Sequence, residues 1–147
     1  MTGLKQVQWL IKSSPCGEFE GYANVFNIID KQGDCIRPGS FMKTIDSCLW
    51  KGKYPNMYLD HDPLKPIGRW FSMEEDEYGL KVKGKLLLDL PLAKSIHKTI
   101  ECFGLSVGMY LLSFEMYKGT RYIYQAELKE ISLTKEPAND KARILTK

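Results

Sequence analysis

The chain has 147 residues, of which 44% are hydrophobic, 12% aromatic and 27% charged; this balance is typical of one globular domain and excludes a disordered tail. Its 21 basic and 18 acidic residues give a formal charge of +3, and basic residues exceed acidic ones by only zero, two and one in successive thirds of the sequence. Without a basic arm, binding to nucleic acid or to an anionic membrane is not expected, and we predict a single domain over residues 1–147.

Apolar runs and cysteines narrow the class further. The longest apolar runs are a few residues, as at 86–88, whereas a membrane span needs about 20, and the first 16 residues carry no secretory apolar region. The four cysteines form no Cys-x-x-Cys pair and no zinc-type spacing with the two histidines. We therefore predict a cytosolic protein with reduced thiols and with neither metal nor cofactor.

The predicted elements are mostly extended, and their order along the chain is as follows. Strands are expected at residues 6–11, 19–26 and 56–61, with hairpins at 67–73/79–88 and 105–117/121–134, the second turning at Lys118-Gly119. Helices are expected at 41–50, capped by Ser40, and from Pro91 to about residue 100. Six or seven strands with two helices predict a mainly β (α+β) fold, a closed or nearly closed sheet with peripheral helices.

His61 is the first candidate for chemistry. It is predicted at the end of a strand, between Asp60 and Asp62, before a loop stiffened by Pro63 and Pro66. A histidine held in this way suits a general base near neutral pH. The alternative is a surface histidine in a turn, hydrogen-bonded to Asp62.

Ser106 is the second candidate, because glycines flank it two residues away on each side. Side chains alternate along a strand, so Gly104, Ser106 and Gly108 share one face, and the serine hydroxyl would lie in a trough that an extended peptide substrate could approach. The alternative is that Gly104 caps the preceding helix and Gly108 marks a bulge, with Ser106 incidental.

Glu130 is the third candidate, since the apolar pattern changes phase around it. Apolar residues are even-numbered up to Leu128 and odd-numbered from Ile131, so Glu130 either faces inward or marks a β-bulge. An inward carboxylate needs a partner, and a histidine is the natural one. The alternative is a solvent-facing glutamate beside Lys129.

Together the three residues have the types needed for a serine hydrolase triad. Their order, His, Ser, Glu, differs from the three common orders, and the sequence has no G-x-S-x-G elbow. Spacing alone therefore leaves the triad open. A metal-dependent hydrolase that uses His61 and His97 is disfavoured, because no second histidine stands at ligand spacing from His97.

Four segments in chain order carry a resemblance to a known family. They are EGYANVF at 20–26 with PGSF at 38–41, HDP at 61–63 with PIGRW at 66–70, GLSVGM at 104–109, and EISLT at 130–134 with PAN at 137–139. From about residue 18 to 144 the chain resembles the prohead maturation proteases of tailed bacteriophages. That family is similar in fold to the herpesvirus assemblin-type serine proteases, which implies a closed β-barrel surrounded by helices.

The resemblance also implies roles for individual residues. Ser106 matches the nucleophile, His61 the general base and Glu130 the acidic residue that orients it. The loop after the last long strand supplies oxyanion donors in assemblins, so the backbone amide of Ala138 is the expected donor; Pro137 has no N–H. Lys135 and Glu136 stand where relatives usually carry apolar residues.

The implied function is a serine endopeptidase of capsid maturation. It would cleave the scaffolding segment of the major capsid protein, and itself, inside the phage prohead in the bacterial cytoplasm, and relatives that dimerise suggest a homodimer. The competing hypothesis is a catalytically inactive module of the same fold that binds scaffold during assembly.

Overall fold

The computed structural model describes residues 14–145, so the strand predicted at residues 6–11 lies outside the described residues. The described part is mainly β with few helices, which confirms this part of the predicted fold class. Eight strands are β1 Glu18–Val25, β2 Asp34–Ile36, β3 Asn56–Leu59, β4 Asp62–Glu75, β5 Gly79–Leu86, β6 Gly104–Tyr117, β7 Thr120–Thr134 and β8 Ile144–Leu145. The helices are α1 Met42–Lys51, α2 Pro91–Lys98 and a 3-10 turn, Ile100–Cys102. No helix between residues 14 and 145 is long and apolar enough to cross a membrane.

The longest ladder joins β6 and β7, and it is the hairpin predicted from the sequence. Tyr117 pairs with Thr120 around the two-residue turn Lys118-Gly119. Both turn residues have positive φ, 48° and 84°, the turn geometry that matches the twist of antiparallel strands. Glycine at the second position adopts this φ without strain, so the turn is set locally by sequence.

All eight strands form one curled sheet. Its order is β2-β7-β3-β4-β5-β1-β8, with β6 paired to β7 as well, and the β2 and β3 pairings with β7 are parallel. The contact between the β6 and β8 ends is a single bridge, Gly104 with Arg143, and the Leu105 N–H bond to the Ala142 carbonyl. The sheet is therefore a curled half-barrel, and the expected closed barrel is not shown, because no continuous ladder joins its two ends.

The concave side of this sheet holds the main core. Leu105 of β6 and Ile131 and Leu133 of β7 are fully buried there. Trp70 of β4 is almost fully buried as well, and its indole N–H donates to the Ile131 carbonyl at 3.1 Å. These contacts fix the backbone of β7 from below, which leaves the intervening residues 130 and 132 on the opposite face.

The N-terminus of α1 is capped differently from the prediction. The Ser40 hydroxyl donates to the carbonyls of Arg37 and Ile123 instead of accepting from the helix. The carboxylate of Glu75, on β4, accepts hydrogen bonds from the N–H groups of Gly39 and Phe41 at 2.7 and 2.8 Å. A negative charge at this end of a helix is favourable, so Glu75 joins β4 to α1.

We predict that Glu75→Ala lowers the free energy of unfolding by about 1–2 kcal/mol, the range for losing a helix N-cap. Urea unfolding followed by circular dichroism measures it. Glu77→Ala, a truncation of an exposed residue in the adjoining turn, is the control and should change stability by less than about 0.5 kcal/mol. Equal effects of the two substitutions would show that the cap contributes nothing.

Candidate active site

His61 occupies a two-residue turn rather than the end of a strand. Leu59 of β3 pairs with Asp62 of β4, so Asp60 and His61 form the whole connection. Both have positive φ, 53° and 61°, which is uncommon outside glycine but more accessible to Asp and His than to branched residues. The Asp60 N–H donates to the Leu133 carbonyl at 3.0 Å, so the turn is attached directly to β7.

Glu130 follows an irregularity in β7 of the kind that the phase change predicted. Gly108 pairs with Glu130 and Met109 with Leu128, so Lys129 is an extra residue with no partner on β6. This bulge changes which residues face the core. Beyond it Ile131 and Leu133 face inward, and Glu130 lies on the opposite face, toward His61.

The imidazole and the carboxylate are in direct contact. His61 Nδ1 lies 2.6 Å from Glu130 Oε2, and the two side chains are 42% and 12% exposed. In neutral His61 the Nδ1–H donates to this carboxylate, which leaves Nε2 unprotonated and able to accept a proton. The structure thus joins two of the three predicted residues in the arrangement a general base needs.

Ser132 is a member of this group that the sequence reasoning missed. Its hydroxyl donates to Glu130 Oε1 at 2.5 Å, and the residue is fully buried. Each oxygen of the Glu130 carboxylate therefore has one partner, His61 or Ser132. The available signal was the i, i+2 spacing of Glu130 and Ser132, which places both side chains on one face of a strand.

The contact with Glu130 also changes the proton affinity of the imidazole. The pKa of His61 is raised, chiefly by the hydrogen bond to Glu130 and further by the negative charges of Glu130 and Asp60. Partial burial of the ring acts in the opposite direction. The imidazolium is therefore stabilised relative to a free histidine, as a base that must hold a proton during a reaction requires.

Ser106 lies on the same face as this pair. It is directly opposite Ser132 in the β6–β7 ladder and 9% exposed. Ser106 and His61 both line a pocket of about 240 Å³, whose wall also includes Asn24 and Asp30. No hydrogen bond joins the Ser106 hydroxyl to the His61 ring in the described chain, so the two share a pocket without direct contact.

The two glycines beside Ser106 are explained by contacts within the chain. A Cβ on Gly108 would overlap the Glu130 carboxylate, and one on Gly104 would overlap Arg143 and the Ala142 carbonyl. The predicted open trough is therefore filled at both positions by the protein's own atoms. Gly108 leaves the space that Glu130 occupies, and only Gly108 of the two lines the pocket.

The loop of residues 137–139 closes one side of the pocket. Ala138 and Asn139 line it, and the buried Asn139 side chain donates to the Val25 carbonyl at 3.1 Å. The Ala138 carbonyl accepts from the Lys31 N–H at 3.0 Å, whereas the Ala138 N–H has no acceptor within residues 14–145. The amide expected to bind an oxyanion is thus held in place by its neighbours while its N–H stays available.

Comparison with known proteins decides the family. The model of the caudovirus prohead serine protease family matches residues 9–147, nearly the whole chain. The chain belongs to this family. It is 37% identical to the prohead protease of Enterobacteria phage HK97, and the matched region covers 87% of the chain and 59% of that relative's length.

Solved structures show the same fold for this family member. The bacteriophage T4 capsid assembly protease superposes with a TM-score of 0.65 at 12% identity, covering 82% of this chain and 84% of that one. The KSHV protease, in complex with a hexapeptide phosphonate inhibitor, gives 0.60 at 13% identity, covering 86% and 63%. The predicted relation to phage prohead proteases and herpesvirus proteases is confirmed.

We predict that Glu130→Gln lowers the pKa of His61, because it removes the negative charge that stabilises the imidazolium. A folded-state pKa above the unfolded value, about 6.5, means that protonation favours the folded state. This contribution is complete below the unfolded pKa and is lost as pH rises through the folded-state pKa. NMR titration of the imidazole measures the shift, with Glu127→Gln on the same strand as the control. An unchanged His61 pKa in Glu130→Gln would contradict the pairing.

We also predict that Gly108→Ala destabilises the fold by about 1–3 kcal/mol, the usual cost of forcing extra atoms into a filled space. The new methyl group must displace the Glu130 carboxylate. In a Glu130→Ala background, where that carboxylate is absent, the same substitution should cost less than about 1 kcal/mol. Urea unfolding of the four proteins gives the coupling, and additive costs would refute the proposed contact.

Proposed function

We propose that the protein is a serine endopeptidase that cleaves capsid scaffold during prohead maturation, with Ser106 as nucleophile, His61 as general base and Glu130 as the residue that orients His61. The observation that carries this proposal is the Glu130–His61 contact beside the pocket that Ser106 lines. Membership of the prohead serine protease family supports the same chemistry. The matched region is 59% of the length of the HK97 relative, so activity and substrates of the whole protein are part of the proposal.

In the acylation step, Ser106 Oγ attacks the scissile carbonyl carbon while its proton passes to His61 Nε2. The imidazolium then gives that proton to the amide nitrogen, the C–N bond breaks, and an acyl-enzyme remains. Water, deprotonated by His61, hydrolyses the ester and regenerates Ser106. Because the pKa of His61 is raised, activity should rise with pH over a higher range than a free imidazole would give.

The negative charge on the carbonyl oxygen needs a hydrogen-bond donor during both steps. The Ala138 N–H is our candidate, since it lines the pocket and has no acceptor within the described chain. A backbone donor held by neighbouring hydrogen bonds needs no reorganisation as the charge develops. Asp140 and Lys31, paired at 3.2 Å, help to fix the loop on its outer side.

The pocket alone does not account for safe action in a cell. A shallow site of about 240 Å³ accommodates only part of an extended peptide, so we propose that confinement inside the prohead, in the host cytoplasm, limits the substrates to the scaffolding segment and the protease itself. A homodimer remains part of this proposal, and a closed barrel would require further pairing between β6 and β8.

We predict that Ser106→Ala abolishes cleavage of a purified capsid precursor and labelling by a fluorophosphonate, because no nucleophile remains. Ser132→Ala is the matched control: it removes a hydroxyl directly across the ladder, and should reduce turnover while labelling at Ser106 persists. Gel analysis and mass spectrometry of the labelled peptide distinguish the two.

Two results would overturn the proposal. Continued processing by Ser106→Ala would show that another residue is the nucleophile. A native chain that binds the capsid precursor but neither cleaves it nor reacts with the fluorophosphonate would instead support the inactive assembly module.

A further inference from the structure

A second pocket lies on the other side of β7 and shares no lining residue with the catalytic pocket. Its volume is about 600 Å³, against about 240 Å³ for the pocket beside Ser106. One wall is α1, the end wall is the segment of residues 53–56, and the other wall is β7 from Gln125 to Lys129. We call it the lysine groove, after Lys43, Lys51, Lys53 and Lys129, which line it.

The charge of the protein is concentrated in this groove. Its four lysines face one lining carboxylate, Glu127, so the groove carries a net charge of +3, equal to the formal charge of the whole chain. Everywhere else basic and acidic residues balance. Between the lysines the groove is lined by small polar and apolar groups, including Ser47, Ala126 and Leu128.

The dimensions favour an extended chain over a single small anion. Lys43, Ser47 and Lys51 follow each other at i, i+4 and i+8 along one face of α1, so the two lysines stand about 12 Å apart along the helix axis. A peptide in extended conformation spans that distance with roughly four residues. Carboxylates on such a segment would meet the lysines, and its apolar groups the floor.

The kind of cation favours a carboxylate-bearing peptide over nucleic acid. All four cations are lysines, whereas phosphate and base recognition commonly uses the planar fork of arginine and open aromatic faces. The Lys129 ammonium lies 5.0 Å from the centroid of the Tyr110 ring, so this aromatic face is already covered by a side chain of the protein.

We propose that the lysine groove binds an acidic, extended segment of the protein substrate, away from the bond that is cut. The identity of the partner rests on the proposed function, whereas the chemistry of the ligand rests on the groove itself. Such a site adds affinity and selectivity that the smaller catalytic pocket does not supply.

Binding is tested on the full chain carrying Ser106→Ala, so that the result does not depend on catalysis. The probe is a fluorescein-labelled decapeptide of alternating glutamate and serine, followed by fluorescence anisotropy. We expect saturable binding that weakens as salt rises from 50 to 300 mM, because exposed charges are screened. The double charge reversal Lys43→Glu/Lys51→Glu should weaken it by about tenfold or more.

The control is Lys94→Glu/Lys98→Glu, an equal change of charge on exposed lysines of α2. It should weaken binding by less than about threefold, the effect of overall charge alone. Equal losses in the two variants would refute a local site. Tighter binding of a ten-nucleotide thymidine oligomer than of the peptide would refute the peptide class and assign the groove to nucleic acid.

Kinetics of the active chain then separate this inference from the proposed function. Lys43→Glu/Lys51→Glu should raise KM for the capsid precursor and leave cleavage of a short peptide around the scissile bond unchanged. Equal effects on both substrates would contradict a remote docking site. If the native chain cleaves neither substrate, the proposed function fails, while the anisotropy experiment still decides what the groove binds.

Discussion

The contact of His61 with Glu130, 2.6 Å between Nδ1 and Oε2, is the interaction on which the rest of the candidate site depends. Three local features serve it. The two-residue turn after β3 brings the imidazole over β7, the bulge at Lys129 turns the carboxylate away from the core, and the absence of a Cβ on Gly108 leaves the carboxylate room. None of these features is needed to form a sheet, and each has a local cost, so their joint presence is best explained by the pair they position.

The core beneath the site makes these costs affordable to the fold. Positive φ at two consecutive non-glycine residues is typically unfavourable by of order 1 kcal/mol or more each. On the inner face, Leu105, Ile131 and Leu133 are fully buried, and burial of each such side chain contributes about 1.5–3 kcal/mol. The strands are thus held firmly by the face that has no chemical role, while the opposite face carries the polar groups.

Sequence patterns predicted much of this arrangement, for identifiable reasons. The Lys118-Gly119 hairpin and α1 follow from local signals, and the phase change around Glu130 correctly indicated a bulge. Ser132 and the helix cap from Glu75 were missed, because each depends on a partner that only the folded chain brings near. The glycines next to Ser106 were read as an opening for substrate, since a sequence does not show that Glu130 and Arg143 fill the space beside them.

In this account two pockets divide the work: a small one, where Ser106 and His61 meet the scissile bond, and a lysine-lined one, which selects the chain to be cut. The central claim is that Ser106, His61 and Glu130 act as one unit. A crystal structure of the protein after reaction with a peptide phosphonate tests it most directly. We expect phosphorus bonded to Ser106 Oγ, His61 Nε2 within about 3.2 Å of an oxygen of the adduct, and the Glu130 contact retained. Phosphorus on another residue, or a His61 ring turned away from the adduct, would contradict the account.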